Sequence, residues 1–270
     1  MRIGPVNPLT WYGLTDPGRL RARNEDAFYG DAAGGLFIVA DGMGGESAGE
    51  VASRVVVEVL PLLIRKCMAS VRDLRTAAAK ERLREAICEL SSGLRSQSES
   101  QPGLRGMGST VVVALIRGGR VLIGHLGDSR AYLIRSNLLE QLTKDHTLFQ
   151  LLLEAGEVKP EEAAAHPARG RLTRFVGMAG EPLPMVRSKE LERGDRLLLC
   201  TDGLTSMVSE ADVFAILKQP RNPESLCREL VAAANSAGGR DNITVLIIPY
   251  PVSAQSTACN SRGTPVAYPS

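Results

Sequence analysis

Apolar residues recur along this chain in two rhythms. Short unbroken runs predict strands: LFIVA (Leu36 to Ala40), TVVVALI (Thr110 to Ile116), VLIGHL (Val121 to Leu126), AYLI (Ala131 to Ile134), RLLLC (Arg196 to Cys200) and ITVLIIP (Ile243 to Pro249). Helical spacing takes over elsewhere. Ala48, Val51, Ala52, Val55, Val56, Val59 and Leu63 predict an amphipathic helix, with Glu46 suited to its positive N-terminus and Pro61 expected to kink or end it. Leu83, Ile87, Leu90 and Leu94 mark a second helix, and the polar, glycine-bearing stretch from Ser96 to Gly108 reads as a loop. Shorter helices are expected at Leu148 to Leu153, Ser209 to Lys218 and Pro223 to Ala237.

Gly118-Gly119 predicts a hairpin turn between two of the runs, and Gly127-Asp128-Ser129 another turn. Hairpins imply mainly antiparallel sheets, and amphipathic helices must cover them. The fold class is therefore α+β, with two sheets and helices outside. Residues 147–170, polar and alanine-rich after a leucine cluster, read as a mobile insertion over the main body. Residues 1–250 read as one domain. From about Pro251 periodicity ends, and residues 251–270 read as a disordered tail.

Composition narrows the partners. Of 270 residues, 44% are hydrophobic and 23% charged, with a formal net charge of +2, so there is no electrostatic case for nucleic acid or an anionic membrane. Aromatics at 4% supply no base-stacking surface. No apolar run approaches the roughly 20 residues of a membrane span. The first residues lack the apolar core of a secretory signal. Five cysteines without CxxC spacing argue for reduced thiols, and so for a cytoplasmic protein.

The chemistry sits where strands end. Asp41 follows FIVA and Asp202 follows LLLCT, each preceding a glycine; Asp128 lies in a turn; Asp241 directly precedes ITVLII. One Asp-Gly is an ordinary turn. Four aspartates at comparable strand ends are harder to explain by turn chemistry. If the ends share one side of the molecule, the carboxylates repel, and the usual relief is a hard divalent cation such as Mg²⁺ or Mn²⁺. Gly42 would let a carbonyl approach such an ion, and Gly44-Gly45 permit a tight turn. Glu25 and Asp26 add acids near the N-terminus, where Arg21 offers a forked donor for phosphate.

Together these residues carry a resemblance. The motifs TDPGRLRARNEDA, VADGMGGESAGEVAS, GMGSTVVVALI, IGHLGDSRAYLIR, LTKDHT, HPARGRLTRFVG, LLLCTDGL and GGRDNITVLII run in order from Thr15 to Ile248. The chain resembles the metal-dependent protein phosphatases (PPM family), the type 2C serine/threonine phosphatases, in a bacterial single-domain form. The resemblance implies an α-β-β-α sandwich with a two-metal Mn/Mg centre between the sheets. It places Asp41 as the ligand bridging both ions, Asp202 and Asp241 on the first, and the Gly42 carbonyl on the second. Glu25 and Asp26 would hold metal-bound waters, and Asp128 with Asp202 a weaker third ion. Arg21 would bind the substrate phosphate, and residues 147–170 would be a flap that influences substrate choice.

The implied reaction is hydrolysis of phosphoserine and phosphothreonine in proteins by a hydroxide bridging the two ions. No cysteine stands in a CxxxxxR phosphate loop, so a covalent phospho-enzyme is not expected. The leaving alkoxide needs a proton. Where many relatives place a histidine after the metal-binding Asp-Gly, this chain has Met43, which reads as apolar filler and leaves the proton donor open, metal-bound water being one source. His125, His146 and His166 are expected in structural roles, as is the strand-opening Gly108-Ser109-Thr110. Asn242 is expected to orient Asp241 or cap its turn. Arg174 is expected to pair with a carboxylate at the flap base, and Arg169, Arg171 and Arg174 form a basic surface. Phosphoproteins are the expected partners, with a cognate serine/threonine kinase expected from the family. The alternative is a catalytically inactive binding or regulatory module; its signature, a lost ligand, is not found among Asp41, Asp202 and Asp241.

Overall fold

The apolar runs are continuous because most of their strands are covered on both faces. In β3 (Leu36–Met43) Phe37 and Val39 point one way, while Leu36, Ile38 and Ala40 point the other, and all five are buried. The computed structural model describes residues 9–45, 48–162 and 166–250. Around β3 lie β1 (Tyr12–Asp16), β2 (Asp26–Asp31), β4 (Gly108–Ser109), β5 (Val111–Arg117), β6 (Arg120–Leu126), β7 (Arg130–Arg135), β8 (Leu138–Gln141), β9 (Met185–Glu190), β10 (Arg196–Cys200) and β11 (Ile243–Pro249). The helices are α1 (Ala48–Cys67), α2 (Ala77–Ser100), α3 (Leu148–Ala155), α4 (Asp202–Thr205), α5 (Glu210–Leu217) and α6 (Pro223–Ser236).

The strands form two antiparallel sheets. One runs β1-β11-β10-β7-β8. The other runs β2-β3-β5-β6-β9, with β4 paired to the end of β3. Three apolar layers hold them. Ile38, Val113 and Leu122 pack against Val56, Leu60, Leu83 and Ile87 of α1 and α2. Leu198, Val245 and Ile247 pack against Leu217, Leu226 and Leu230 of α5 and α6. Between the sheets, Val39, Val112 and Ile123 meet Leu133, Leu199 and Leu246. This is the expected α-β-β-α sandwich.

Local chemistry sets the boundaries. The β5–β6 turn is Gly118-Gly119, with φ of 57° and 78°, the left-handed pair that a two-residue hairpin needs. Thr76, Thr147, Ser209 and Asn222 cap α2, α3, α5 and α6 by accepting a backbone N–H three residues on.

Several expectations change. Pro61 does not end α1, which continues to Cys67. Pro61 is buried, and Ile64 extends the buried stripe beyond it, so packing outweighs one lost backbone bond. The loop expected from Ser96 begins only after Ser100, where Leu94 and Ser98 still face the interior. β6 and β7 do not form a hairpin in one sheet: the Gly127-Asp128-Ser129 turn carries the chain from one sheet to the other. β1, β2, β8 and β9 carry mostly half-buried residues and lack an unbroken apolar run. Glu46, part of residues 147–170 and the tail from 251 lie outside the described residues.

Leu246, fully buried at the centre of the inter-sheet layer, sets the first prediction. Leu246→Ala is expected to destabilise the fold by about 2–5 kcal/mol, read as a lowered urea midpoint at unchanged m-value.

Candidate metal centre

The inter-sheet core turns polar at one end, and counting along the strands shows why. Two residues beyond inward-facing Val39 stands Asp41; two beyond Leu199 stands Thr201. Two before Leu246 stands Thr244, two before Val112 Thr110, and two before Ala131 Ser129. Asp26 lies opposite Asp41 in the β2–β3 ladder. The same inward faces that are aliphatic through the middle therefore end in hydroxyls and carboxylates.

These groups bind one another. Thr201 and Thr244 hydroxyls donate to Asp26 Oδ2 at 2.8 and 2.7 Å. Thr15 lies 2.7 Å from Thr244, and Asn24 donates to Thr15 at 2.8 Å. Asp41 is held through its backbone: its N–H donates to Thr110 Oγ1, and its carbonyl accepts from Thr110 N and Ser109 Oγ. Thr110 Oγ1 in turn lies 2.6 Å from Ser129 Oγ. Asn242 fixes the loop that brings Glu25 in. Its Oδ1 accepts from Glu25 N at 2.8 Å, and its Nδ2 donates to the Pro17 and Arg23 carbonyls at 3.0 and 2.9 Å. Asn242 was expected to orient Asp241 or cap its turn, and its backbone N–H donates to Asp241 Oδ1 at 2.9 Å.

Two close backbone approaches require glycine. A Cβ on Gly42 would overlap the carbonyl oxygen of Gly49 in α1, and one on Gly203 would overlap that of Asn242. Each glycine follows its aspartate, so each Asp-Gly pair sits against a neighbouring backbone segment that an alanine would push away. Gly42 N–H also donates to the Glu25 carbonyl at 3.1 Å.

The electrostatics follow. Burial and then the neighbouring acids push Asp41 and Asp128 well above the usual carboxylate range. Burial, opposed in part by the two threonine bonds, carries Asp26 to about 7. Burial and then Asp241 raise Asp202 to about 6, with Arg169 acting against them. Glu25 is raised by burial. Asp26 Oδ1 and Asp202 Oδ1 are buried with no hydrogen-bond partner among the described residues. Two orphaned carboxylate oxygens among mutually repelling acids, beside glycines that bring backbone close, are a donor set of the hard-oxygen kind that Mg²⁺ and Mn²⁺ take. Among the described residues no three acidic, histidine or cysteine side chains close into a ready-made ligand shell. Asp241 Oδ2 instead pairs with Arg21 at 2.8 Å, both partly exposed.

The remaining expected residues fall nearby. Asp128 is buried at the inter-sheet turn. His125 and His146 stack at 4.7 Å, and His146 Nδ1 accepts from Gly127 N. Burial drives both imidazoles' pKa values down, His146 to about 3. His166 Nδ1 accepts from Ala168 N, a local turn hydrogen bond of the expected kind. Arg174 was expected to pair with a carboxylate but donates to the Leu183 carbonyl at 3.5 Å. Arg169 is not a free surface cation, since it donates to the Thr205 carbonyl at 2.8 Å. Thr15, Thr201, Thr244 and Ser129 were not anticipated; for Thr201, Thr244 and Ser129 the signal was the two-residue periodicity continued past the apolar runs.

Two antiparallel sheets between helix pairs, with an acidic end to the inter-sheet core, define the class as a metal-dependent phosphatase sandwich. The sequence profile of the family described as Protein phosphatase 2C matches residues 19–231. The serine/threonine phosphatase stp of Listeria welshimeri is 41% identical over 238 residues, covering 87% of this chain and 93% of that protein. The serine/threonine protein phosphatase PstP of Mycobacterium tuberculosis is 39% identical over 239 residues, 88% of this chain but 44% of PstP. Among solved structures, Stp1 from Staphylococcus aureus superposes with a TM-score of 0.82 at 32% identity, covering 93% of this chain and 98% of that one. The catalytic domain of PstP in complex with two manganese ions gives 0.75 at 36% identity, covering 90% and 98%. The chain belongs to the protein phosphatase 2C (PPM) family of bacterial serine/threonine phosphatases and is a metal-dependent serine/threonine protein phosphatase.

The raised carboxylates imply a pH signature. Asp26 has a folded pKa of about 7, against roughly 4 unfolded. The folded state therefore binds more protons between those values, and this contribution to stability falls as pH rises through that window. Thermal melts of metal-free protein are expected to show wild type losing stability relative to Asp26→Asn from about pH 4 to 7, with Mn²⁺ at pH 7 reversing the loss. Parallel pH profiles would contradict this.

Proposed function

We propose that this chain hydrolyses phosphoserine and phosphothreonine in proteins at a centre for two Mn²⁺ or Mg²⁺ ions. Residues 1–250 are assigned to one phosphatase domain, with residues 147–170 as its flap. The observation that carries the proposal is the pair of buried, unpartnered oxygens on Asp26 and Asp202 within the acidic layer. Asp41, Asp202, Asp241 and the Gly42 carbonyl would hold the ions, Glu25 and Asp26 would act through water, and Asp128 would serve a weaker third position. When bound, the ions supply an acidified water as nucleophile and offset charge on the phosphoryl oxygens.

The chain's own residues supply positioning. Thr201 and Thr244 fix one oxygen of Asp26 and leave the other free to face the centre. Ser109 and Thr110 hold Asp41 by its backbone, so its carboxylate is not consumed by internal bonds. Arg21 receives the substrate phosphate. Its bond to Asp241 is half exposed, and such pairs contribute about 0–1 kcal/mol. Asp241 can therefore leave Arg21, freeing the carboxylate for a metal ion and the guanidinium for a dianionic phosphate. Met43 carries no proton, and His125 and His146 are buried with depressed pKa values, so none of the three is suited to protonate the leaving alkoxide.

The partners are phosphorylated proteins, with a serine/threonine kinase acting on the same substrates. The four described cysteines are free thiols, which supports a reducing, cytoplasmic setting. No helix among the described residues is long and apolar enough to cross a membrane.

A Mn²⁺-dependent assay on a phosphothreonine peptide tests the reading. Wild type is expected to turn over, and Asp41→Asn to lose at least roughly 100-fold in kcat, as expected when a group acting in the transition state is removed. No release by wild type at saturating metal would leave the inactive binding module as the reading. Arg21→Ala is expected mainly to raise KM; an unchanged KM would show that Arg21 does not meet phosphate.

A further inference from the structure

A second site lies at the opposite end of the same sheet. Asp31 and Leu36 pair across β2–β3 at the end away from Asp26 and Asp41. Five residues of strand separate the two ends, roughly 17 Å at ~3.3 Å per residue. There a cavity of about 460 Å³ opens between β2, β3, β5, the last turn of α1 and the segment after it. That volume is within the ligand-sized range.

Its floor is apolar and buried: Leu36, Ile64, Met68, Val71 and Leu115. Its walls carry three guanidinium groups, Arg65, Arg72 and Arg117, and one carboxylate, Asp31. Arg65 is already committed, donating to Asp31 at 3.2 Å and to the Tyr29 hydroxyl at 2.7 Å. Arg117 donates to the neutral Val71 carbonyl at 2.7 Å, which leaves its charge uncompensated. Arg72 is exposed and makes no hydrogen bond or ion pair among the described residues. Two unneutralised cations therefore border an apolar floor.

We propose that this cavity binds a small amphipathic anion, with a carboxylate- or phosphate-type head on Arg72 and Arg117 and an apolar body on the floor. The head offsets like charges gathered at one mouth. The body would leave water for an apolar lining, a gain that an inorganic anion, having no body, does not have. The site shares no residue with the acidic centre, so its occupant is not the phosphoryl group held there.

Isothermal titration calorimetry on the whole chain tests the proposal with three probes below their micelle concentrations. These are sodium decanoate, sodium acetate as head without body, and decyltrimethylammonium as body with the opposite head. Decanoate is expected to bind one site. Acetate and the cationic probe are expected to bind at least roughly tenfold more weakly, about one decade of Kd. Arg72→Glu should weaken decanoate by a similar factor. Ala69→Trp, which blocks a lining position without changing charge, should do the same. Both variants should keep wild-type melting temperature and wild-type turnover of a phosphothreonine peptide without decanoate. Equal binding of decanoate and the cationic probe, or undiminished decanoate binding in both variants, would overturn the site. Because binding is read without catalysis, its failure is separable from failure of the phosphatase reading.

Discussion

Two carboxylates face each other across the β2–β3 ladder, and much of the surrounding structure answers to that placement. Asp26 and Asp41 are register partners on a face that points between two sheets. Like charges directly opposite one another destabilise a sheet, and burial sharpens the cost. Asp202 raises it further by acting on both, and Asp128 by acting on Asp41. A sheet that keeps such a pair at the end of its core must hold the groups by other bonds and leave them something to bind.

The holding is done by uncharged groups. A ring of hydroxyls from Thr110, Ser129, Thr201 and Thr244 separates the acids from the aliphatic core. Backbone segments are brought close by Gly42 and Gly203, and Asn242 staples the loop carrying Glu25. These partners fix positions without neutralising charge. Among the described residues, only Arg21 supplies an ion pair to the cluster, and it does so at the exposed rim. The acidic layer is therefore left with little internal counter-charge while its geometry stays set by strands.

Most of the frame was legible in the chain. Strands buried on both faces announce themselves as apolar runs, which is why β3, β5, β6, β10 and β11 could be read directly. β1, β2, β8 and β9 could not, because their mostly half-buried residues mix polar and apolar types. Pro61 misled because propensity is local, whereas the buried stripe of α1 continues past it. For the site, Asp41, Asp202, Asp128 and Asp241 stood out by their place at strand ends. The threonines beneath them did not, since a hydroxyl at the end of an apolar run looks like an ordinary strand boundary. The pairing of Arg21 with Asp241, 220 positions apart, depends on loops whose path only the fold reveals.

Anomalous diffraction at the manganese edge, from crystals grown with Mn²⁺, tests the central claim most directly. Two strong peaks are expected at the polar end of the inter-sheet layer, both against Asp41, with Asp202 and Asp241 turned toward one of them and Arg21 released. Manganese bound only elsewhere, or an acidic layer without a peak and with Arg21 still on Asp241 at saturating metal, would contradict it.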